Sequence, residues 1–171
     1  MMIARPQPNQ YPEFAGTYVN MVPEGADVMQ LLAGSLTKAY ELFTSLPDEK
    51  AHYAYAEGKW TIKEVLGHMI DTERVFGFRA FCISREPAVL PGFDQDTYVN
   101  GTDYNNRSLQ GLADEFRATR QSNLYVFRNL TEAQINNWGT SNSTPITVRA
   151  LIYMTAGHEL HHLRILKEKY L

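Results

Sequence analysis

The chain has 171 residues, of which 44% are hydrophobic and 20% are charged, and its formal net charge is −3. These values suit one soluble domain with a buried core, and without a basic stripe they argue against a nucleic-acid partner. The single cysteine excludes an internal disulfide, and no signal peptide or membrane span is predicted, so we expect a cytoplasmic protein.

The first 24 residues contain four prolines, at positions 6, 8, 12 and 23. Because proline fixes φ and lacks a backbone donor, residues 1–24 predict an extended arm rather than a helix. Aromatic residues between the prolines indicate that the arm lies on the body of the protein, since a disordered tail is poor in them. From Asp27 to Ser45, apolar residues recur every three or four positions, which predicts a first long helix with Asp27 as its N-cap.

A second long helix is predicted from Thr61 to about Ser84. Its start carries two signals in the sequence. Thr61 and Glu64 have the spacing of a capping box, and Trp60 and Val65 are placed as a hydrophobic staple.

Residues 85–107 are rich in turn-forming residues and predict a long loop. Some 20 extended residues span roughly 60–70 Å, whereas a helix as long as the second is only about 35 Å. The loop can therefore cross the length of a bundle and make helices two and three parallel. The third helix is predicted at residues 108–129, a short capped helix begins at Thr131, residues 136–145 read as a polar loop, and the fourth helix runs from Thr147 to near the end.

Both halves of the chain have a long helix, a short acidic turn, a loop and a Thr-capped helix. We therefore predict an all-α four-helix bundle with one long crossover between helices two and three, in a single domain spanning residues 1–171. Helices two and four are then antiparallel, and such bundles build metal sites from side chains on facing helices.

Two histidines four residues apart, His158 and His162, lie in the predicted fourth helix. This spacing puts both imidazoles on one helix face, where they can bind one metal ion. The stretch also reads H-E-x-x-H, the zinc-protease signature in which Glu159 would be the general base.

A catalytic zinc site needs a third protein ligand, and here that ligand has to come from upstream. Only nine residues follow His162, and the extended protease signature would need Gly at 165 and His at 168, where the chain has Ile and Glu. Of the upstream histidines, His52 and His68, the second lies on the apolar second helix. The sequence therefore predicts a metal site of His68, His158 and His162 and argues against a protease. It offers no obvious fourth ligand, which favours an open, catalytic site over a closed, structural one.

Three segments, WTIKEVLGHMIDTER at 60–74, LPGFD at 90–94 and GHELHH at 157–162, resemble the DinB-like superfamily. The resemblance covers the chain from about residue 22 to its end. It implies a four-helix bundle in up-down-down-up order that holds a divalent metal, zinc or nickel by preference, with three histidines. His68, His158 and His162 match those positions.

The resemblance also implies a function. Relatives include S-transferases and isomerases that use a low-molecular-weight thiol such as bacillithiol or mycothiol, and many are dimers. We therefore expect a metal-dependent thiol S-transferase that acts on a small electrophilic substrate and forms a homodimer. The alternatives are a metal-dependent hydrolase and a non-catalytic, metal-stabilised dimeric bundle that binds a small ligand.

Residues near the histidines have competing interpretations. Glu159 is either catalytic or a helix charge, solvated or hydrogen-bonded to another side chain, and the second reading is preferred. Asp71 either orients a ligand imidazole or is an exposed charge. His161 is placed at the rim of the site or directly behind the ligands, and a structural role is preferred for it.

The remaining candidates are interpreted more simply. Charged residues of the second helix are expected to form surface or inter-subunit pairs: Glu73, Arg74 and Arg79. Aromatic residues before it either line a pocket mouth or, preferably, pack structurally: Tyr53, Tyr55 and Trp60. Cys82 is expected to be a buried small apolar residue.

Overall fold

The structure, a computed structural model, describes residues 2–171. Four long helices form a bundle, which confirms the predicted fold class. In chain order the helices are α1 (Gly16–Val19), α2 (Val28–Ser45), α3 (Asp48–Ala51), α4 (Ile62–Arg85), α5 (Gln95–Asn100), α6 (Leu109–Arg128), α7 (Glu132–Ile135) and α8 (Val148–Ile165). A π-helical turn, Leu166–Tyr170, extends α8. Among the described residues, no helix is both long and apolar enough to cross a membrane.

Helices α4 and α6 run in the same direction. Near the start of α4, Glu64 accepts a hydrogen bond of 3.0 Å from Asn105, which precedes α6. Further along α4, the backbone carbonyl of Glu73 accepts a bond of 3.1 Å from Asn123 in the second half of α6. Contacts that advance together along both helices define a parallel pair, as predicted from the length of the crossover.

Helices α4 and α8 run in opposite directions. Tyr170, beyond the end of α8, donates a 2.8 Å bond to the carbonyl of Trp60, just before α4. Earlier in α8, the ring of His158 lies 6.0 Å from that of Phe76, further along α4.

Helix α2 is antiparallel to α6. Tyr40 donates to Asp114 at 2.9 Å, whereas the earlier carbonyl of Leu32 accepts from the later Arg120 at 3.0 Å. The four long helices therefore have the expected up-down-down-up order.

The side chains that start the helices are mostly those predicted from the sequence. Asp27 accepts a 2.9 Å bond from a backbone amide at the start of α2. Glu64 accepts a 2.7 Å bond from the backbone amide of Thr61, and Thr61 accepts a 3.2 Å bond from the amide of Glu64, which is the predicted capping box. Thr131 and Gln134 form the same arrangement at α7. These bonds satisfy amides that the first turn of a helix leaves without partners.

The hydrophobic core consists of two clusters, one towards each end of the bundle. A layer of buried polar side chains lies between them: Ser35, His68, Thr72, Glu73, Arg120, Thr155, His158, Glu159 and His162. The four long helices all contribute to this polar layer, which contains the candidate site.

The extended arm predicted for residues 1–24 is wrong in its local structure. Short 3-10 turns at Pro8–Gln10 and Glu13–Ala15 lead into α1. The prolines start these turns, because Pro8 is the first residue of one and Pro12, with φ of −64°, caps the next. The expectation that the arm lies on the body is confirmed, because Ile3, Ala15, Val19 and Val22 are buried. Met1 lies outside the described residues.

The crossover at residues 85–107 is more structured than a plain loop. It contains strand β1 (Val89–Leu90), helix α5 and a 3-10 turn at Tyr104–Asn106. Helix α5 forms because Asp94 accepts a 2.7 Å bond from the amide of Thr97, which is a local N-cap.

The polar loop predicted at residues 136–145 is wrong, because this segment belongs to a hairpin. Strands β2 (Trp138–Ser141) and β3 (Thr144–Thr147) pair antiparallel, and β1 pairs parallel with β2. The turn between them has Asn142 and Ser143 at φ of 50° and 62°, which matches the twist of a two-residue hairpin. The small sheet fixes the crossover against the entrance to α8.

Candidate metal centre

Three imidazoles meet in the polar layer of the bundle. The Nε2 atom of His158 lies 2.9 Å from Nε2 of His68 and 3.1 Å from Nε2 of His162. One ring nitrogen from each histidine lies within 4.8 Å of the other two. The structure therefore brings together the three histidines predicted from the sequence, one from α4 and two from α8.

The environment keeps these imidazoles neutral. Burial, reinforced by the neighbouring histidines, lowers the pKa of His68 to about 4 and that of His162 to about 3. The pKa of His158 is also held well below its usual value, mainly by burial. A neutral imidazole carries the lone pair that a metal ion needs, so the site has its ligand form at neutral pH.

The nitrogen positions suit a small divalent ion. At the usual Zn–N distance, two ligands of a tetrahedral ion are about 3.4 Å apart, close to the two short separations. Within residues 2–171, no further histidine, cysteine or carboxylate belongs to the cluster. Three nitrogen ligands and an open position suit a catalytic zinc site, and imidazoles also suit nickel, copper or iron.

Aromatic rings hold the histidines in place. The ring of Trp60, predicted as part of a staple, lies 4.8 Å from the ring of His68. Tyr18 in α1 packs edge-on against His158 and His161, at 5.2 and 5.6 Å. Tyr18 carries no signal in the sequence, because nothing in the residue pattern places α1 against α8.

Gly157 explains how α1 comes so close to the site. A Cβ atom at this position would lie 1.9 Å from the carbonyl oxygen of Tyr18, so only glycine fits. The residue before the first ligand of α8 therefore fixes the approach of the N-terminal segment.

Asp71 does not contact a ligand imidazole. It accepts a 2.5 Å bond from Tyr104 in the crossover, and burial raises its pKa. The hydroxyl of Thr72 lies 3.5 Å from Nδ1 of His68. A hydroxyl one turn after the ligand is thus better placed than the predicted carboxylate to orient the ring.

Glu159 faces away from the histidine cluster, into the centre of the bundle. It accepts 2.7 Å bonds from Ser35 in α2 and from Arg120 in α6. Burial raises its pKa, while the guanidinium acts in the opposite direction. The preferred reading as a hydrogen-bond partner agrees with these contacts, and the protease role of a general base has no support in them.

The prediction for Glu73 is wrong. Predicted as a surface or inter-subunit pair, it is buried and accepts bonds of 2.6 and 2.7 Å from Arg120. Arg120 thus links two buried carboxylates on different helices, a network that no local sequence pattern predicts. Arg74 does form a surface pair, with Glu115 at 2.6 Å.

Two clefts reach the histidines from different sides. The larger, here called the His68 cleft, has a volume of about 290 Å³, and its walls come from the arm, α4, the crossover, the hairpin and α8. The smaller, the His162 cleft, has about 260 Å³ and includes Tyr55 and Trp60, so these aromatics do line a pocket. Gln95 lines the His68 cleft and Asp96 lines the His162 cleft, so the crossover covers the site between the two clefts.

The remaining candidates lie around the site or away from it. His161 is partly buried beside His162, with ring centroids 5.2 Å apart. Cys82 is a partly buried free thiol on α4, so the expectation of a buried residue is only partly met.

Comparison with known proteins identifies the family. The profile of the DinB superfamily matches residues 21–166, so the chain belongs to this superfamily. A protein of Oceanobacillus iheyensis named a putative metal-dependent hydrolase is 25% identical over 129 residues, 74% of each chain. The structure of YfiT from Bacillus subtilis, described as a probable metal-dependent hydrolase with an unusual four-helix bundle topology, is similar with a TM-score of 0.69. The two share 18% identity over 96% of this chain and 90% of YfiT.

Proposed function

We propose that the chain is a metal-dependent enzyme that transfers a nucleophile, either water or a thiol, to a small electrophilic substrate. The observation that carries the proposal is the meeting of three buried imidazole nitrogens beside two clefts, with no fourth ligand among residues 2–171. A closed structural site would need that fourth ligand.

The residues of the chain have separate tasks in this proposal. His68, His158 and His162 would hold a divalent ion, with Thr72 and the surrounding rings fixing their orientation. A bound ion supplies Lewis acidity, which lowers the pKa of a water or thiol ligand towards neutrality. The crossover covers the site and limits the access of water to the substrate.

Hydrolysis is one form of this activity. It needs only one organic substrate, and the names of the two relatives point to it. One cleft is sufficient for it.

Thiol transfer is the second form, expected from the superfamily resemblance. The reaction needs room for a thiol and an electrophile together. The two clefts beside the histidines supply that room, one at His68 and His158 and one at His162.

The first experiment measures metal content. Purified protein is reloaded with zinc or nickel, dialysed and analysed for metal, beside the variants His158→Ala and His52→Ala. We expect nearly one ion per chain in the wild type and in His52→Ala, whose exposed histidine is remote from the cluster, and little in His158→Ala. Equal metal in all three, with unchanged circular dichroism, would refute the assignment.

The second experiment separates the two reactions. The metal-loaded protein is assayed with a panel of small esters, amides and alkylating electrophiles, with and without bacillithiol or mycothiol. Turnover without thiol identifies a hydrolase, and turnover that requires thiol identifies a transferase. Absence of both, with full metal content, would favour the non-catalytic binding alternative.

The homodimer and the cytoplasmic location stay predictions. Sedimentation equilibrium of the metal-loaded protein tests the first, and a dimer mass is expected.

A further inference from the structure

The His68 cleft contains a buried cation. Arg79 is 7% exposed and lines the cleft together with His68 and Thr72, which lie on the same face of α4. Positions 68, 72, 76 and 79 follow the helical period, so their side chains form one stripe along the cleft. Arg79 was expected to form a surface or inter-subunit pair, and that expectation is wrong because the side chain is buried beside the candidate site.

The guanidinium of Arg79 has little to neutralise it. Its Nη2 donates a 2.7 Å bond to the carbonyl of Pro91, and its Cζ lies 5.6 Å from the centre of the Phe93 ring. Within residues 2–171, no carboxylate oxygen lies within 4 Å of it. An arginine has five N–H donors, so most of its hydrogen-bonding capacity remains available.

Arg120 is a buried guanidinium with a structural role, and it provides a comparison for Arg79. It is fully buried and bonds two carboxylates, from Glu73 and Glu159. Burying a charge without a partner is costly, and such charges are normally paired. Arg79 departs from this rule at the point where the bundle opens into a cleft.

The rest of the cleft gives the shape of a matching ligand. Between Arg79 and the histidines the walls are mainly apolar, from Phe76, Ile146 and Met154. Arg79 lies eleven positions after His68, about 16 Å along the helix axis. A helical arginine points back towards the N-terminus and so towards His68. A short molecule can therefore contact both ends of the cleft.

We propose that the His68 cleft binds a small substrate by an anionic carboxylate held on Arg79, with an apolar middle and its reacting group at His68 and His158. The proposal rests on the proposed function for the position of the reacting group. A single arginine matches the single charge of a carboxylate, whose two oxygens suit its paired N–H donors. Asp94 also lines the cleft, but its carboxylate caps α5 and is exposed. Arg79 is thus assigned as a specificity residue.

The test measures binding of phenylacetate to metal-free protein by calorimetry, so that a metal ion cannot bind the carboxylate. Wild type is compared with Arg79→Met, Arg79→Lys and the control Arg85→Met, which alters an exposed arginine of the same helix. We expect Arg79→Met to weaken binding at least tenfold, Arg79→Lys to retain part of it, and Arg85→Met to leave it unchanged. Phenylacetamide, which has no charge, should bind the wild type no more tightly than it binds Arg79→Met.

Several outcomes would overturn the proposal. Equal binding of phenylacetate by wild type and Arg79→Met would remove Arg79 as the anion site, as would equal binding of the amide and the acid. Tighter binding of phenyl phosphate than of phenylacetate would replace the carboxylate with a phosphate ester. Because the protein is metal-free, failure of the metal analysis leaves this test intact, so the two proposals fail separately.

The stability of Arg79→Met gives an independent readout. If Arg79 served only to bond the carbonyl of Pro91, its replacement would lower the midpoint of urea unfolding. If Arg79 instead serves to bind a ligand, the midpoint should stay unchanged or rise, because removing an unpaired buried charge removes the free-energy cost of its desolvation. A lower midpoint with unchanged phenylacetate binding would identify a structural residue.

Discussion

Replacing Arg120 with methionine should destabilise the protein more than any surface change of similar size. Arg120 donates to both oxygens of Glu73, at 2.6 and 2.7 Å, and to Glu159 at 2.7 Å. The three side chains are 0%, 3% and 2% exposed. Arg120→Met removes the only cation and leaves two carboxylates buried, a change that costs about 3–5 kcal/mol. That is a large part of the 5–15 kcal/mol that typically separates folded from unfolded chains.

The assay is urea unfolding of the metal-free protein, followed by circular dichroism. Arg117→Met is the matched control in the same helix, because Arg117 and its partner Asp114 are 43% and 44% exposed. An exposed pair of this kind contributes no more than about 1 kcal/mol. Arg120→Met should therefore lower the free energy of unfolding several times more than Arg117→Met does.

A triple variant tests the cause. Combining Arg120→Met with Glu73→Gln and Glu159→Gln removes all three charges and should recover much of the lost stability. Equal losses for Arg120→Met and Arg117→Met, or a triple variant less stable than Arg120→Met, would show that the buried charges do not dominate.

Three further predictions concern packing, pH and the hairpin turn. Gly157→Ala should lower the free energy of unfolding by roughly 1–3 kcal/mol, because the new Cβ meets the backbone of Tyr18. The control Gly34→Ala, whose new Cβ would have no heavy atom of another part of the chain within 4 Å, should raise it by about 0.4–1 kcal/mol. Burial raises the pKa of Asp71 above its unfolded value. The free energy of unfolding of the wild type should therefore fall, relative to that of Asp71→Asn, as pH rises from 3 to 7. A rise over the same range in urea unfolding would contradict the raised pKa. Ser143→Gly should raise the free energy of unfolding by about 1 kcal/mol in the same assay, because φ is +62° there; a loss would mean that the serine side chain contributes to the turn.

The long helices and the histidine cluster were predictable because their signals are local and periodic. The capping residue Asp27 and the pair Thr61 and Glu64 mark helix starts through bonds within one turn. His158 and His162 are one turn apart, so their shared face follows from helix geometry. His68 needed in addition the antiparallel order of two helices, which the long crossover implied.

The parts that the sequence did not predict depend on contacts between distant segments. The partner of Glu73 lies 47 residues away, on another helix, so a charged residue that was assigned to the surface is in fact buried. The parallel pairing of β1 with β2 joins Val89 to Thr140, and β1, with only two residues, carries no recognisable period. Burial of Arg79 has the same origin, since Pro91 and Phe93 of the crossover cover it.

The walls of the His68 cleft come from two kinds of segment, the long helices and the connections between them. Helices hold the histidines, whereas Phe14, Phe93 and Asn142 reach the cleft from the arm, the crossover and the hairpin turn. Changes of length or residue type in those three connections would reshape the ligand space without disturbing the helical frame. The architecture therefore allows the shape of the cleft to change through peripheral segments while the histidine cluster at the centre is inherited unchanged.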